Sequence, residues 1–271
     1  MEFRSIRPPA PLSSLVESIW DCRQPAPAHR FERMLPSACA QLVFNLAEDE
    51  TRVYDDALRC TRNAGAALYV PAFRGFIIDT AEQTSAVGVV FRAGAAAAFF
   101  RERMDPVANR HLDLDALARD GGALRQRLLE ARDADARLRI VLRWLCMRMD
   151  ATGACMHPAV AHALRRLDAA SGAAPRIPAL AAECRLSPRR FGELFREQVG
   201  MGPKRYARLQ RFHHVVAQVH RRRAPDWAGL AVDCGFHDQA HLAHEFRAFA
   251  GMAPTAYLAQ HGDWMRHAPL A

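Results

Sequence analysis

Two short stretches, offset by 51 residues, carry side chains able to read a nucleic-acid duplex. In the first, Arg189, Arg190, Glu193 and Arg196 share one helical face; in the second, Ala240, His241, His244 and Arg247 hold the equivalent positions, with Gln239 just ahead. Arginine pairs bidentately with guanine and glutamine with adenine, glutamate accepts from cytosine N4, and histidine reaches a base edge or a phosphate. Ala240, like Gly192 and Ala243, is small enough to let the backbone approach a groove. Arg196 and Arg247 lie further along and suit phosphates or surface ion pairs. On a lone helix such residues would be read as a solvated polar face. Their appearance in two copies favours the nucleic-acid reading.

Other chemistry finds less support. His237, His241 and His244 have the i, i+4, i+7 spacing of metal ligands, but no cysteine or carboxylate cluster supplies a fourth. The adjacent side chains of His213 and His214 diverge. No Gly-x-Ser-x-Gly, Walker loop or dinucleotide fingerprint is present, and no His-x-His pattern followed by Glu occurs in the first 150 residues. No catalytic residue, cofactor or metal is therefore expected, and the chain is not expected to be an enzyme. Trp20, Phe44, Tyr69 and Phe91 are candidates for lining a small-molecule pocket, with plain core as the competing reading. Seven cysteines without a Cys-x-x-Cys pair suggest reduced thiols.

The elements that must position these residues follow from a repeat. Ile177, Leu180, Ala181 and Cys184 match Trp227, Leu230, Ala231 and Cys234 at an offset of 50. Phe191, Phe195, Arg196, Gly200, Pro203 and Tyr206 match Leu242, Phe246, Arg247, Gly251, Pro254 and Tyr257 at an offset of 51. Each copy predicts a short helix, a tight turn, and a second helix capped by Ser187 or Asp238 and closed by Gly200 or Gly251. That is a helix-turn-helix. A further helix opening at Pro203 is long enough to join the two units. Pro158 opens an earlier one, and Ser171–Pro178 is predicted as a loop.

Residues 15 to 92 differ in kind. Ser18–Arg23, Arg30–Leu35, Gln41–Leu46, Arg52–Leu58, Ala67–Pro71, Gly75–Asp79 and Ala86–Phe91 are apolar or alternating runs, most of them separated by turn residues. They predict an antiparallel sandwich or barrel. Helical spacing takes over from Gly94, most clearly in Ala136–Met149. Formal net charge is +8, almost all of it late: residues 1–156 sum to +1 and residues 157–271 to +7. A basic second unit behind a neutral first one suits a polyanion partner.

Residues 157–260 resemble the DNA-binding domain of AraC-type transcriptional regulators. The resemblance rests on Leu180-Ala181, Ser187, Phe191-x-x-Leu194-Phe195-Arg196, Gly200-x-x-Pro203-x-x-Tyr206 and Arg211. It continues through Ala231-x-x-Cys234-Gly235-Phe236-x-Asp238-Gln239, Phe246-Arg247 and Gly251-x-x-Pro254-x-x-Tyr257. It implies seven helices, two recognition helices in successive major grooves, and DNA contacts at Arg189, Arg190, Glu193, Gln239, Ala240, His241 and His244. Ala240 replaces the family's small hydroxyl, and Leu242 its usual aromatic. Residues 2 to about 150 more loosely resemble an uncharacterised sensor-like module found ahead of such domains, through Leu15-Val16-x-x-Ile19-Trp20, Leu35-Pro36 and Gly88-Val-Val-Phe-Arg92.

The expected fold is α+β. A β-rich sandwich or barrel-like domain with trailing helices, residues 1–150, serves effector sensing or dimerisation. An all-α seven-helix domain, residues 157–260, holds two helix-turn-helix units. The expected function is sequence-specific, effector-responsive transcription regulation on double-stranded DNA in the cytoplasm, with no membrane partner. RNA polymerase, a small-molecule effector and a second copy of the chain are compatible further partners. A ligand-independent DNA-binding protein with a dimerising first domain, or an enzyme in residues 1–150, are the alternatives.

Overall fold

A computed structural model describes residues 1–169, 175–221, 225–260, 262 and 265–270. The first half is two antiparallel sheets. One has six strands, β1 (Glu2–Ile6), β2 (Val16–Arg23), β9 (Ser85–Phe91), β4 (Gln41–Asn45), β7 (Ala66–Tyr69) and β10 (His111–Asp113), in that spatial order. The other has five: β11 (His267–Leu270), β3 (Phe31–Met34), β8 (Phe76–Asp79), β5 (Glu50–Tyr54) and β6 (Cys60–Ala64).

The alternation of side chains along the six-stranded sheet divides its two faces. Ile19, Leu42, Phe44, Leu68, Val87, Val89 and Phe91 are fully buried on one face. There they share a core with α1 (Ala95–Phe100), α3 (Gly121–Leu129) and α4 (Ala134–Thr152). Ser18, Trp20, Gln41, Val43, Tyr69 and Val90 point the other way, toward the five-stranded sheet. The predicted strands all form, most with ends shifted by one or two residues. Four further strands, β1, β6, β10 and β11, were not expected. β1 and β6 are exposed edges without an apolar face, which leaves no period-two signal.

A buried ion pair crosses the helix-facing side. Asp21 on β2 accepts from both Nε and Nη2 of Arg137 on α4, at 2.5 and 3.0 Å, and both side chains are at most 5% exposed. The hydrogen bond to Asp21 raises the Arg137 guanidinium above its ordinary value.

The second half contains α5 (Pro158–Asp168), α6 (Ile177–Glu183), α7 (Pro188–Val199), α8 (Pro203–Arg221), α9 (Trp227–Asp233), α10 (Gln239–Ala250) and α11 (Pro254–Gln260), the seven expected helices. Residues 171–174 of the expected loop lie outside the described residues, and Ile177 and Pro178 open α6 instead. The repeat is structural as well as sequential. Ser187 caps the Arg190 N–H at 3.2 Å and Asp238 the His241 N–H at 2.7 Å. Gly200 and Gly251 close α7 and α10 at φ +80° and +72°, where an L side chain is strained. No described helix is long and apolar enough to cross a membrane.

The two halves share an extensive boundary. Leu35 and Ala38, after β3, are buried in the core of the helical half. The Arg205 guanidinium lies 4.1 Å over the Phe73 ring, and His213 Nε2 donates to the Pro36 carbonyl at 2.8 Å. After α11 the chain returns to the first half. β11 pairs antiparallel with β3, from His267 opposite Met34 to Leu270 opposite Phe31. The sequence-based division into 1–150 and 157–260 did not anticipate this return.

Removing Arg137 should test the core. Arg137→Ala leaves the buried Asp21 carboxyl without its partner, which costs about 3–5 kcal/mol. Urea denaturation should show the midpoint falling accordingly.

Candidate nucleic-acid interface and sensor cavity

α7 and α10 place the expected duplex-facing residues on open surface. Arg189, Arg190, Arg196, Gln239, Ala240, His244 and Arg247 are exposed, and His241 and Glu193 are partly so. Gly192 is buried instead, and a Cβ there would meet only the Arg196 guanidinium, at 3.6 Å. Glu193 is already engaged. Its Oε1 accepts from Arg189 Nε at 3.0 Å and its Oε2 lies 3.8 Å from Arg190 Nη1. The bond from Arg189 holds its carboxyl below the usual range. Glu193 therefore orients both arginines in the free protein.

The histidines at 237, 241 and 244 do not converge. His237 Nδ1 lies 3.0 Å from Asp238 Oδ2, and His241 Nδ1 accepts from the His237 backbone N–H. Among the described residues no group of three or more His, Cys, Asp or Glu side chains is placed to hold a metal ion. Arg208, not singled out from sequence, does position this surface. It donates from Nε and Nη2 to both oxygens of Glu245, each at 2.7 Å, tying α8 to α10. Its sequence signal was only a basic residue on one helix and an acidic one on another.

Between the two sheets lies a cavity of about 320 Å³. Of the four aromatic candidates, Trp20 and Tyr69 line it. Phe44 and Phe91 do not: their neighbours Val43 and Val90 do, so the pleat sends both phenylalanines to the helix-facing core. The polar lining includes Asn45, Thr51, Asp79, Glu82 and His267. Burial raises the Glu82 carboxyl to about 7, against the opposing pull of the Arg52 backbone N–H at 2.7 Å and of the Arg52 guanidinium. Burial also raises the Tyr69 hydroxyl well above its ordinary value.

His267, from the far end of the chain, completes one wall. Its Nδ1 lies 2.8 Å from Glu32 Oε2, and His29 Nε2 lies 3.3 Å from the other oxygen. Burial pushes Glu32 up, but the two histidines outweigh it and hold the carboxyl below its usual range. His267 was missed because His-Ala-Pro-Leu is too short for periodicity, and its proline fits an edge strand better than a central one.

Two paired helix-turn-helix units with exposed basic faces, behind a β-rich domain with a cavity, form one recognisable arrangement. Residues 180–260 match the family "Helix-turn-helix domain", and residues 4–113 match "Domain of unknown function (DUF6597)". Residues 180–260 are thus a helix-turn-helix domain of the AraC type. The chain's overall fold is similar to that of ToxT from Vibrio cholerae O395, crystallised with a naphthalenyl-butenoic acid. That similarity has a TM-score of 0.50 at 9% identity and covers 96% of this chain and 99% of that one. The DNA-binding domain of AdpA, in complex with a target DNA, is similar at 25% identity over 38% of this chain and 92% of its own, with a TM-score of 0.35. An AraC-type regulator from Chromobacterium violaceum is similar at 20% identity over 39% and 96%, with a TM-score of 0.35. No curated protein matches the sequence.

Gly88 sets the shape of the cavity between the sheets. It stands opposite Trp20 across the β2–β9 pairing, and a Cβ there would fall 2.2 Å from Trp20 Cζ2. Gly88→Ala should displace the indole and destabilise the domain by about 1–3 kcal/mol. Thermal unfolding and Trp emission should change together.

Proposed function

We propose that this chain is an AraC-type transcription regulator that reads an asymmetric DNA site with α7 and α10 and responds to a small molecule held in the cavity of its first domain. One observation carries the responsive part: His267 lines the cavity and belongs to the strand that directly follows the second helix-turn-helix unit. Whatever occupies the cavity touches a segment that is continuous with the DNA-reading helices. The route is short. Tyr257 on α11 donates from its hydroxyl to the Met265 carbonyl, the Arg266 carbonyl accepts from the Leu35 N–H at 2.9 Å, and Arg266 Nη1 donates to Ser37 Oγ at 3.1 Å.

On the DNA side, Arg190 and Gln239 sit in the first turns of α7 and α10, where a recognition helix meets base edges. Arg196 and Arg247 stand about two turns further on and are assigned to phosphates. Arg189, Ala240, His241 and His244 complete the contact surface. Glu193 fixes the aim of Arg189 and Arg190 and meets a base only if that pairing opens. The first and second units address segments about 10 base pairs apart on one face of the duplex.

Genomic fragments bound by the full chain, followed by footprinting, test this reading. Gln239→Ala should relax preference at particular base pairs by about 1–3 kcal/mol. Arg247→Ala should weaken all sequences alike and lower the salt slope by about one unit. The assignment fails if Arg247→Ala changes the sequence preference while Gln239→Ala leaves it intact, or if the protected segments lie on opposite faces.

A further inference from the structure

The lining of the cavity is chemically one-sided. Trp20, Tyr69 and Met34 form much of its apolar wall, while its ionisable carboxylates are Asp79 and Glu82, both buried. No arginine or lysine side chain lines it among the described residues. The only other ionisable groups on the wall are Cys22, the Tyr69 phenol and His267, whose Nδ1 is engaged by Glu32. Arg52 pairs with Glu82 and with Glu48, at 2.8 Å each, but does not line the cavity.

Resting on the reading that this cavity is the effector site, we infer that it takes a compact organic cation: an aromatic or aliphatic body carrying a protonated amine. An anion would be desolvated against two buried carboxylates with no cation on the wall to receive it. Both carboxylates are held from behind, Asp79 by the Ala81 N–H at 3.1 Å and by Arg30 Nε at 3.5 Å, and Glu82 by Arg52, so a neutral apolar molecule would gain nothing from the acceptor sites they present to the cavity. An ammonium satisfies them, and the faces of Trp20 and Tyr69 attract a cation as well as an apolar body. The volume, near the lower end of the ~300–1,000 Å³ of ordinary ligand pockets, limits the guest to a small molecule.

Glu82 gives the inference a second readout. Burial raises its carboxyl to about 7, which places its titration in the neutral range. A neighbouring ammonium favours the carboxylate, so binding expels a proton. The groups facing Glu82 are the Arg52 guanidinium and backbone N–H, which favour the charged form, and Glu48, which opposes it. Tyr69, whose hydroxyl burial keeps protonated, adds no charge. Cation affinity should therefore rise between about pH 6 and about pH 8.

Three probes with one skeleton separate the outcomes on the full chain: phenethylamine, phenethyl alcohol and phenylacetate. Thermal stabilisation and calorimetry should show phenethylamine binding best and releasing protons near neutral pH, measured from two buffers of different ionisation enthalpy. Glu82→Gln keeps the shape and an acceptor for Arg52. It should weaken phenethylamine about 10- to 100-fold, abolish the proton release and leave the alcohol unchanged. If phenylacetate or the alcohol binds as well as the amine, or the amine binds without proton release, the cation assignment is overturned while the cavity stands as a ligand site. If none of the three binds, the cavity reading itself falls.

Discussion

The structure depends on the antiparallel pairing of β11 with β3. A chain that enters its DNA-binding half at α5 and leaves it at α11 could end there. Instead the last strand crosses back and becomes the edge of the five-stranded sheet. The helical half is thereby attached to the first half at both ends. Between the two attachments, Leu35 and Ala38 from the loop after β3 plug its core. Backbone pairing is directional and register-specific, so a shift of β3 relative to the helices must break or slide these bonds. Arg33 on the same strand reaches the α10 C-cap, where a Cβ on Gly251 would meet its Nη1 at 3.3 Å. One four-residue strand thus faces the cavity through Met34, His267 through Glu32, and the second helix-turn-helix unit through Arg33.

The two faces of the six-stranded sheet divide the work. The helix-facing side is closely packed, with Phe91, Phe99 and Phe100 in mutual ring contact and the Asp21–Arg137 pair as a buried charged crossing. The other side is left incompletely filled: Gly88 provides the space over which the Trp20 indole lies, and the facing sheet contributes a mixed set, Met34, Thr51, Ile78, Asp79 and His267. A well-packed face and a hollow one on the same strands follow from period-two alternation, because each strand supplies large apolar residues to one side and mixed residues to the other. Glu82 and Asp79 sit at the rim of the hollow side, in and beside the short 3-10 turn that begins after β8.

Much of this was legible in the residues. The repeat from Ile177 to Tyr257 carries cap, turn, apolar stripe and C-cap twice, and every one of those signals appears in the fold because each is local. The seven strands between Ser18 and Phe91 were visible through turn residues and alternation. What escaped was non-local. Nothing within Phe44 or Phe91 states which face of a sheet is hollow, and that depends on what packs opposite. β11 joins residues more than 230 positions distant in sequence from its partner, and only the partner makes it a strand. Arg208–Glu245 and His267–Glu32 escaped for the same reason, since a salt link between helices or strands has no signature in either segment alone.

The central claim is that the DNA-reading helices and the cavity are coupled through β3 and β11. Linkage makes that coupling reciprocal: if an occupant of the cavity changes DNA affinity, DNA must change the cavity. Amide hydrogen exchange on the full chain, with and without a duplex selected by the protein itself, measures this without knowledge of the effector. The account predicts altered protection at Phe31–Leu35 and His267–Leu270 when DNA occupies α7 and α10. Exchange that changes only in the helical half, with these two strands untouched, would contradict it.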